Sequence, residues 1–259
     1  MENSNDKYLD FAIDLSKQAA DILMQNYGKQ HVQTVKESFH SIVTQSDLDV
    51  EDFIVKSIKS MFPDHGILSE EQTTYNIQSD YVWVIDPLDG SSYYSRSLPN
   101  FSVAIALVHQ DALQLGVVNC PAIEKLFFAQ LGKGAFCNQL PIAVSDIADF
   151  SKSMVNFGHR FLRETQVYPM SHKLLNSVRS IRAGGSCAQE LSLLSAGHVE
   201  AVITVNQQCW DFFAAWVILE EAGGKITNLR NEKIDIRIAM SSTTDILAHN
   251  GKLNFYSFL

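Results

Sequence analysis

Only four cysteines occur in 259 residues, Cys120, Cys137, Cys187 and Cys209, and they lie 17, 50 and 22 positions apart with no C-x-x-C pair. This spacing matches neither a small disulfide scaffold nor a zinc knuckle, and it predicts four reduced thiols in a cytoplasmic protein. Six prolines and thirteen glycines are too few for a collagen-like, low-complexity or disordered chain. Basic residues are in deficit, 20 against 29 acidic, for a net charge of -9. That is the wrong sign for neutralising phosphates along a strand, so a nucleic-acid partner is not expected. Long apolar runs are missing too. The longest uncharged stretch, Ser97 to Gln110, is 14 residues broken by Pro99 and Asn100, short of a bilayer span. The opening MENSNDKYLDFAIDLSK carries early acids and no basic segment before an apolar core, which predicts no secretory leader.

What remains, with 46 % hydrophobic residues, is the composition of one large globular domain or two packed halves. Apolar positions from Leu9 to Tyr27 recur at three and four and stop before Gly28, which predicts an amphipathic helix. A second such pattern runs from Val50 to Met61 and ends at Pro63, with Ser46 and Asp49 spaced as a capping box. Short β-like runs follow at 66–68, 81–85, 101–107, 113–118 and 126–129. After the turn at Gly132 and Gly134, strands at 154–157, 181–183, 199–205, 225–227 and 238–240 alternate with helices at 161–178, 186–196 and 211–222 and a last helical segment. The chain therefore reads as an α/β or α+β sandwich of layered helices and sheets. A soft internal division separates an N-terminal α+β half, 1–140, from a C-terminal α/β half, 141–259.

The most informative segment is Trp83-Val84-Ile85-Asp86-Pro87-Leu88-Asp89-Gly90-Ser91-Ser92. An apolar strand ends in two aspartates three apart, and Pro87 fixes the turn between them, so both carboxylates can face one point. A D-P-x-D-G run arises by chance on the order of once per 10⁵ start positions. An Asx-type turn would also place Asp-Gly at such a corner. Three other acidic placements accompany it: Glu70 and Glu71 close another apolar run, Asp211 opens a helix, and Asp47 opens the helix after Thr44. Taken singly, Asp211 is also what a helix dipole favours, and Glu70-Glu71 is also a solvated pair. If they meet, several carboxylates cannot all ionise unless some are protonated or a cation intervenes. Oxygen donors without His or Cys select Mg²⁺, Mn²⁺ or Ca²⁺ over Zn²⁺. The amides of Gly90, Ser91 and Ser92 suit an anion. Cation and amides together describe a phosphate site. His40 and His65, the histidines nearest these motifs, are expected at the surface.

Four blocks, Val43-Thr44-Gln45-Ser46-Asp47, Ser69-Glu70-Glu71, Asp86-Pro87-Leu88-Asp89-Gly90-Ser91, and Trp210-Asp211 followed by Glu220-Glu221-Ala222-Gly223-Gly224, occur in an order that resembles the inositol monophosphatase family. These are Mg²⁺-dependent phosphomonoesterases related to fructose-1,6-bisphosphatase. Gly132-Lys133-Gly134-Ala135-Phe136, with Pro141-Ile142, and Gly185-Ser186-Cys187-Ala188 also look like family blocks. The resemblance covers nearly the whole chain and implies a layered αβαβα sandwich. It further implies that Glu70, Asp86 and the Leu88 carbonyl hold a first metal, that Asp86, Asp89 and Asp211 hold a second, and that Glu71 lies near a looser third. Asp47 and Ser91 would hydrogen-bond the attacking water and take its proton, with Glu70 also at the reacting centre. The phosphate would lie across both metals and the amides of Gly90 and Ser91, with Gly185, Ser186 and Cys187 beside the substrate hydroxyls. Mg²⁺ is the implied cofactor, Mn²⁺ a possible substitute, Li⁺ an inhibitor, and a homodimer the implied assembly. Lys36 would sit on a loop shielding the metals.

Two departures bear on function. Where the family reads Thr-x-Asn-Phe after Asp-Gly, this chain has Ser91-Ser92-Tyr93-Tyr94. Ser91 keeps the hydroxyl but not the methyl that restricts its rotamer, while Tyr93 and Tyr94 suit either a pocket wall or the core. Family members acting on inositol carry a glutamate seven residues before Asp211, and here Thr204 stands there. The expected activity is hydrolysis of a small phosphorylated alcohol, first inositol-1-phosphate. Histidinol phosphate, 3'-phosphoadenosine-type nucleotides and sugar phosphates are alternatives. A regulatory binding protein keeping the fold, as some bacterial relatives are toward the transcription machinery, is the alternative from another class.

Overall fold

The computed structural model describes residues 6–29, 33–35, 42–71, 73–163 and 170–255; Lys36 and His40 lie outside them. Helix α1 (Asp6–Asn26) buries Tyr8, Ala12, Leu15, Ala19 and Leu23 along one stripe, and Gly28 follows in the left-handed region that ends helices. A two-stranded pair, β1 (Gln33–Val35) and β2 (Ile42–Thr44), leads into α2 (Gln45–Met61). The cap of α2 lies two residues earlier than the Ser46–Asp49 spacing predicts. Thr44 is the N-cap and Asp47 the third helical residue, whose Oδ2 accepts the Thr44 amide at 2.7 Å and hydroxyl at 2.6 Å. Asp49 is exposed and takes a bond from Gln45 instead, so the buried acid won the capping role.

The β-like runs then build one sheet: β3 (Gly66–Ser69), β4 (Thr74–Tyr75), β5 (Tyr81–Asp89), β6 (Ser102–His109), β7 (Ala112–Cys120), β8 (Lys125–Gln130), β9 (Ala135–Cys137) and β10 (Leu140–Pro141). A helical turn, α3 (Ser91–Tyr94), separates β5 from β6. Among the described residues the order is β10-β9-β8-β7-β6-β5-β3-β4, antiparallel except where β3 runs parallel to β5. Side chains alternate between two cores, Trp83, Ile85, Val103 and Ile105 on one face and Val82, Val84, Ala104 and Ala106 on the other. Both faces are covered, so these strands read as continuous apolar runs.

The rest forms β11 (Met154–Phe157), α4 (His159–Arg163), α5 (Met170–Leu175), β12 (Ser180–Arg182), α6 (Cys187–Ser195), β13 (Ala201–Gln207), α7 (Cys209–Glu221), β14 (Lys225–Thr227), α8 (Ile236–Ala239) and β15 (Thr244–His249). Among the described residues, the second sheet has the order β12-β11-β13-β15-β14. Helices α1 and α2 cover one face of the larger sheet, α6 and α7 fill the space between the sheets, and α4 and α5 pack on the far face of the smaller one. This is the αβαβα order.

Four further expectations change. The helix expected over 161–178 is two short ones, α4 and α5, with 164–169 outside the described residues. Residues 238–240 are not a strand: the Asp235 carboxylate accepts the Ile238 amide and caps a helical turn. The segment expected to close the fold as a helix is β15, paired on both sides within the sheet. His65 is half-buried rather than at the surface, stacked between Phe62 and Tyr81, with its Nδ1 accepting the Trp83 indole N–H at 3.1 Å.

Candidate active site

Strand β5 delivers Asp86 and Asp89 to one end of the larger sheet. Its pairing with β6 shifts register between these two residues, and Pro87, which has no amide to give the ladder, occupies the irregular step. The Leu88 amide turns back onto Asp86 Oδ1 at 3.0 Å, so the Asx turn and the converging carboxylates are one structure. Parallel pairing sets Ser69 opposite Ile85, and the Glu70 amide donates to the Ile85 carbonyl at 3.2 Å. That register carries Glu70 up beside Asp86, while half-buried Glu71 follows it. Asp211 enters from the first turn of α7, where its Oδ2 accepts the Gln208 amide at 2.7 Å.

Asp47 joins from α2. Its Oδ1 accepts the Ser91 hydroxyl at 2.8 Å, and the same Ser91 Oγ lies 2.9 Å from the Leu88 carbonyl. Asp89 is gripped from 97 positions away: Ser186 Oγ donates to Oδ2 at 2.6 Å and the Ala188 amide at 2.7 Å. Ser186 also caps α6 by accepting the Gln189 amide, so one side chain both starts this helix and holds Asp89. Cys187 begins α6, and Gly185 is pressed against the ring of Tyr93, where any β-carbon would overlap it. Tyr93 therefore walls this region, whereas Tyr94 is buried and donates its hydroxyl to the Leu23 carbonyl at 2.8 Å. Gly90, with φ 95°, starts the turn of α3.

The charge is concentrated. Burial pushes Asp86 well above the usual carboxylate range, and the charges of Glu70, Asp89 and Asp211 push it further. Asp211 is raised by burial and then by Glu70 and Asp89. Burial takes Asp89 up to about 7 even against its bonds from Ser186 and Ala188. Asp47 is raised by burial against bonds from Thr44 and Ser91. Asp86 Oδ2 is buried with no hydrogen-bond partner. An orphaned carboxylate oxygen among mutually repelling acids fits a hard cation, and the donor set of oxygens alone agrees. Among the described residues no group of three or more His, Cys, Asp or Glu side chains is already spaced to hold a metal ion. The acids converge without being drawn fully together.

A cavity of about 130 Å³ adjoins this cluster, walled by Asp89, Asp211, Cys187, Thr204, Glu190 and Arg160 among others. Several supporting residues carried no sequence signal. Glu51 accepts the Thr73 amide at 3.0 Å and ties α2 to the segment after Glu71. Glu190 pairs with Arg182 at 3.1 Å, and Arg160 Nη1 donates to the Asn206 carbonyl at 2.9 Å. The Gly132-Gly134 block and the Glu220-Glu221 block meet directly, both glycine amides donating to the Glu221 carboxylate at 2.7 Å. That pairing was readable only as two motifs of unknown relation. Among the described residues, all four cysteines are free, as expected, and no helix is long and apolar enough to cross a membrane.

Comparison with known proteins bears on the fold and the family. The sequence profile of the inositol monophosphatase family matches residues 4–254. A Thermotoga maritima protein named fructose-1,6-bisphosphatase/inositol-1-monophosphatase is 33 % identical over 231 residues, covering 87 % of this chain and 86 % of that one. A histidinol-phosphatase of Chlorobaculum parvum is also 33 % identical, covering 83 % of each chain. The Nus factor SuhB of Pasteurella multocida is 33 % identical as well, covering 84 % of each. Among solved structures, a Thermotoga maritima IMPase superposes with a TM-score of 0.86 at 31 % identity, covering 95 % of this chain and 93 % of that one. On its fold, its profile match and these relatives, the chain belongs to the inositol monophosphatase family, whose members are phosphatases and generally metal-dependent.

Proposed function

We propose that this chain is a Mg²⁺-dependent phosphomonoesterase that hydrolyses a small phosphorylated alcohol, with inositol-1-phosphate as its reference substrate. The carrying observation is the convergence of Glu70, Asp86, Asp89 and Asp211 around a buried carboxylate oxygen that has no partner. Glu70, Asp86, Asp89, Asp211 and the Leu88 carbonyl would hold the metal, with Glu71 at a looser position. Bound Mg²⁺ would supply Lewis acidity to the phosphate and a lower pKa to the attacking water. The chain's own part is positioning and proton handling. The amides of Gly90 and Ser91 bind phosphate oxygens. Ser91 Oγ takes the proton of the water as it passes its own to Asp47 Oδ1, along the 2.8 Å bond between them. Burial has already raised the proton affinity of Asp47, which suits it to receive that proton. Gly185, Ser186 and Cys187 border the alcohol half, and Ser186 keeps Asp89 aimed inward.

The chain acts in the cytoplasm as a homodimer in this reading. Measuring phosphate release from inositol-1-phosphate, histidinol phosphate, a 3'-phosphoadenosine nucleotide and a sugar phosphate tests it, with Mg²⁺ omitted or Li⁺ added as controls. Asp89→Asn is expected to fold and to lose at least about a thousandfold in turnover, since it removes one charge at the reacting centre. Undiminished turnover in that variant would remove the catalytic assignment. The similarity to a protein named Nus factor SuhB supports a second reading, a binding role toward the transcription machinery. Such a role would survive Asp89→Asn in cells, whereas a role resting on hydrolysis would not.

A further inference from the structure

Arg160 lies on the short helix after β11, half-buried in the wall of the cavity that also holds Asp89 and Asp211. Three features keep the guanidinium there. The ladder between β13 and β15 is interrupted between Thr204 and Gln207. Asn206, in the left-handed region at φ 56°, turns its carbonyl outward to accept Arg160 Nη1 at 2.9 Å, and its amide is pinned by Asp245 Oδ1 at 3.0 Å. Asn206 is thus locked in an uncommon conformation whose carbonyl serves as the seat of Arg160.

The acids Asp89 and Asp211 line the same cavity and would face the bound cation. Glu190, 2 % exposed, is matched by Arg182, and Thr204 is neutral. Among the described residues Arg160 forms no ion pair, and its hydrogen bond goes to a neutral carbonyl. A guanidinium has five donors in a planar fork, and one carbonyl uses one of them. Arg160 lines the cavity that would receive the alcohol half of a substrate. Carboxylates and phosphates are the groups that such a fork binds with two parallel bonds.

We propose that Arg160 makes this cavity selective for phosphate esters whose alcohol half carries a second negatively charged group, a carboxylate or another phosphate. The inference rests on the phosphatase reading above and deepens it by naming the substrate class. Inositol-1-phosphate is then a substrate without the preferred second anion. The arrangement also gives a chain of net charge -9 a fixed cation beside its acids, so discrimination is made by a local charge rather than the overall one.

Three esters on one three-carbon skeleton test this: glycerol-3-phosphate, 3-phosphoglycerate and glycerol-1,3-bisphosphate, which place a hydroxymethyl, a carboxylate or a phosphate at the far end. The purified chain with Mg²⁺ is expected to give a KM about tenfold lower for at least one anionic ester than for glycerol-3-phosphate, one good charge-assisted pair being worth about that factor. Whichever anionic ester gains identifies the source, carboxylate or phosphate. In Arg160→Gln the ratio of neutral to anionic KM should collapse toward one, and in Arg160→Lys it should be partly restored. A wild-type chain without preference, or an Arg160→Gln that moves every KM by the same factor, overturns the inference alone. A wild-type chain inactive on all three esters and on p-nitrophenyl phosphate overturns the phosphatase reading, and this inference with it.

Discussion

Asp47 shows how much one side chain can be asked to do. One carboxylate oxygen starts α2 by accepting from Thr44, and the other holds Ser91 against the Leu88 carbonyl. The role proposed for Ser91 makes a direct prediction. Ser91→Ala should lower kcat by about 10² to 10⁴ with folding retained, the range that a positioned proton carrier supplies. Ser91→Thr should keep activity, because it restores the hydroxyl and limits its rotamers. Steady-state kinetics with circular dichroism on the purified variants checks both. At this scale the sequence was most legible for acids at element ends. Asp86, Asp89, Glu70 and Asp211 sit where a strand stops or a helix begins, and those boundaries follow from local chemistry. The grip of Ser186 on Asp89 was not legible, because it depends on which loop the fold brings across 97 residues.

Helices and strands differ in how far their own residues determine them. Helix α1 has one buried stripe, and its pattern predicts it. Helix α7 is buried on nearly every side from Phe212 to Leu219, so no single apolar stripe describes its contacts. Strand β15 was misread as a helix because its neighbours β13 and β14 come from elsewhere in the chain, and pairing overrode local preference. That strand carries His249, 7 % exposed, whose Nδ1 accepts the Gly251 amide at 3.1 Å. Burial, assisted by Lys225, lowers it from 6.5 to about 4. A folded-state value below the unfolded one contributes stability that is complete above about pH 6.5 and is lost as pH falls toward 4. The loss is on the order of 3 kcal/mol. His249→Asn, which can keep the acceptor without the titration, should flatten the acid side of the melting-temperature profile relative to wild type. Parallel profiles for the two proteins would contradict this.

For the molecule as a whole, the acid cluster is a cost that a bound cation would relieve. Asp89 is raised from 3.8 to about 7, and Asp86 and Asp211 move in the same direction. A raised folded-state value means that the metal-free chain has its full contribution below about pH 4 and loses it as pH climbs through 7. For Asp89 alone the loss is on the order of 4 kcal/mol. Melting temperature of the metal-free protein should therefore fall between pH 5 and 8 relative to the Mg²⁺-loaded protein, with the gap widening as pH rises and shrinking in Asp89→Asn. A gap that stays constant with pH would refute it.

Helix α7 has its sides against both sheets and bears Asp211 in its first turn. Any rocking of one sheet over the other would drag that carboxylate away from Asp86 and Asp89 and tear the central packing. Entry and exit of small molecules would then fall to the rim, to loop ends and side chains such as Tyr93.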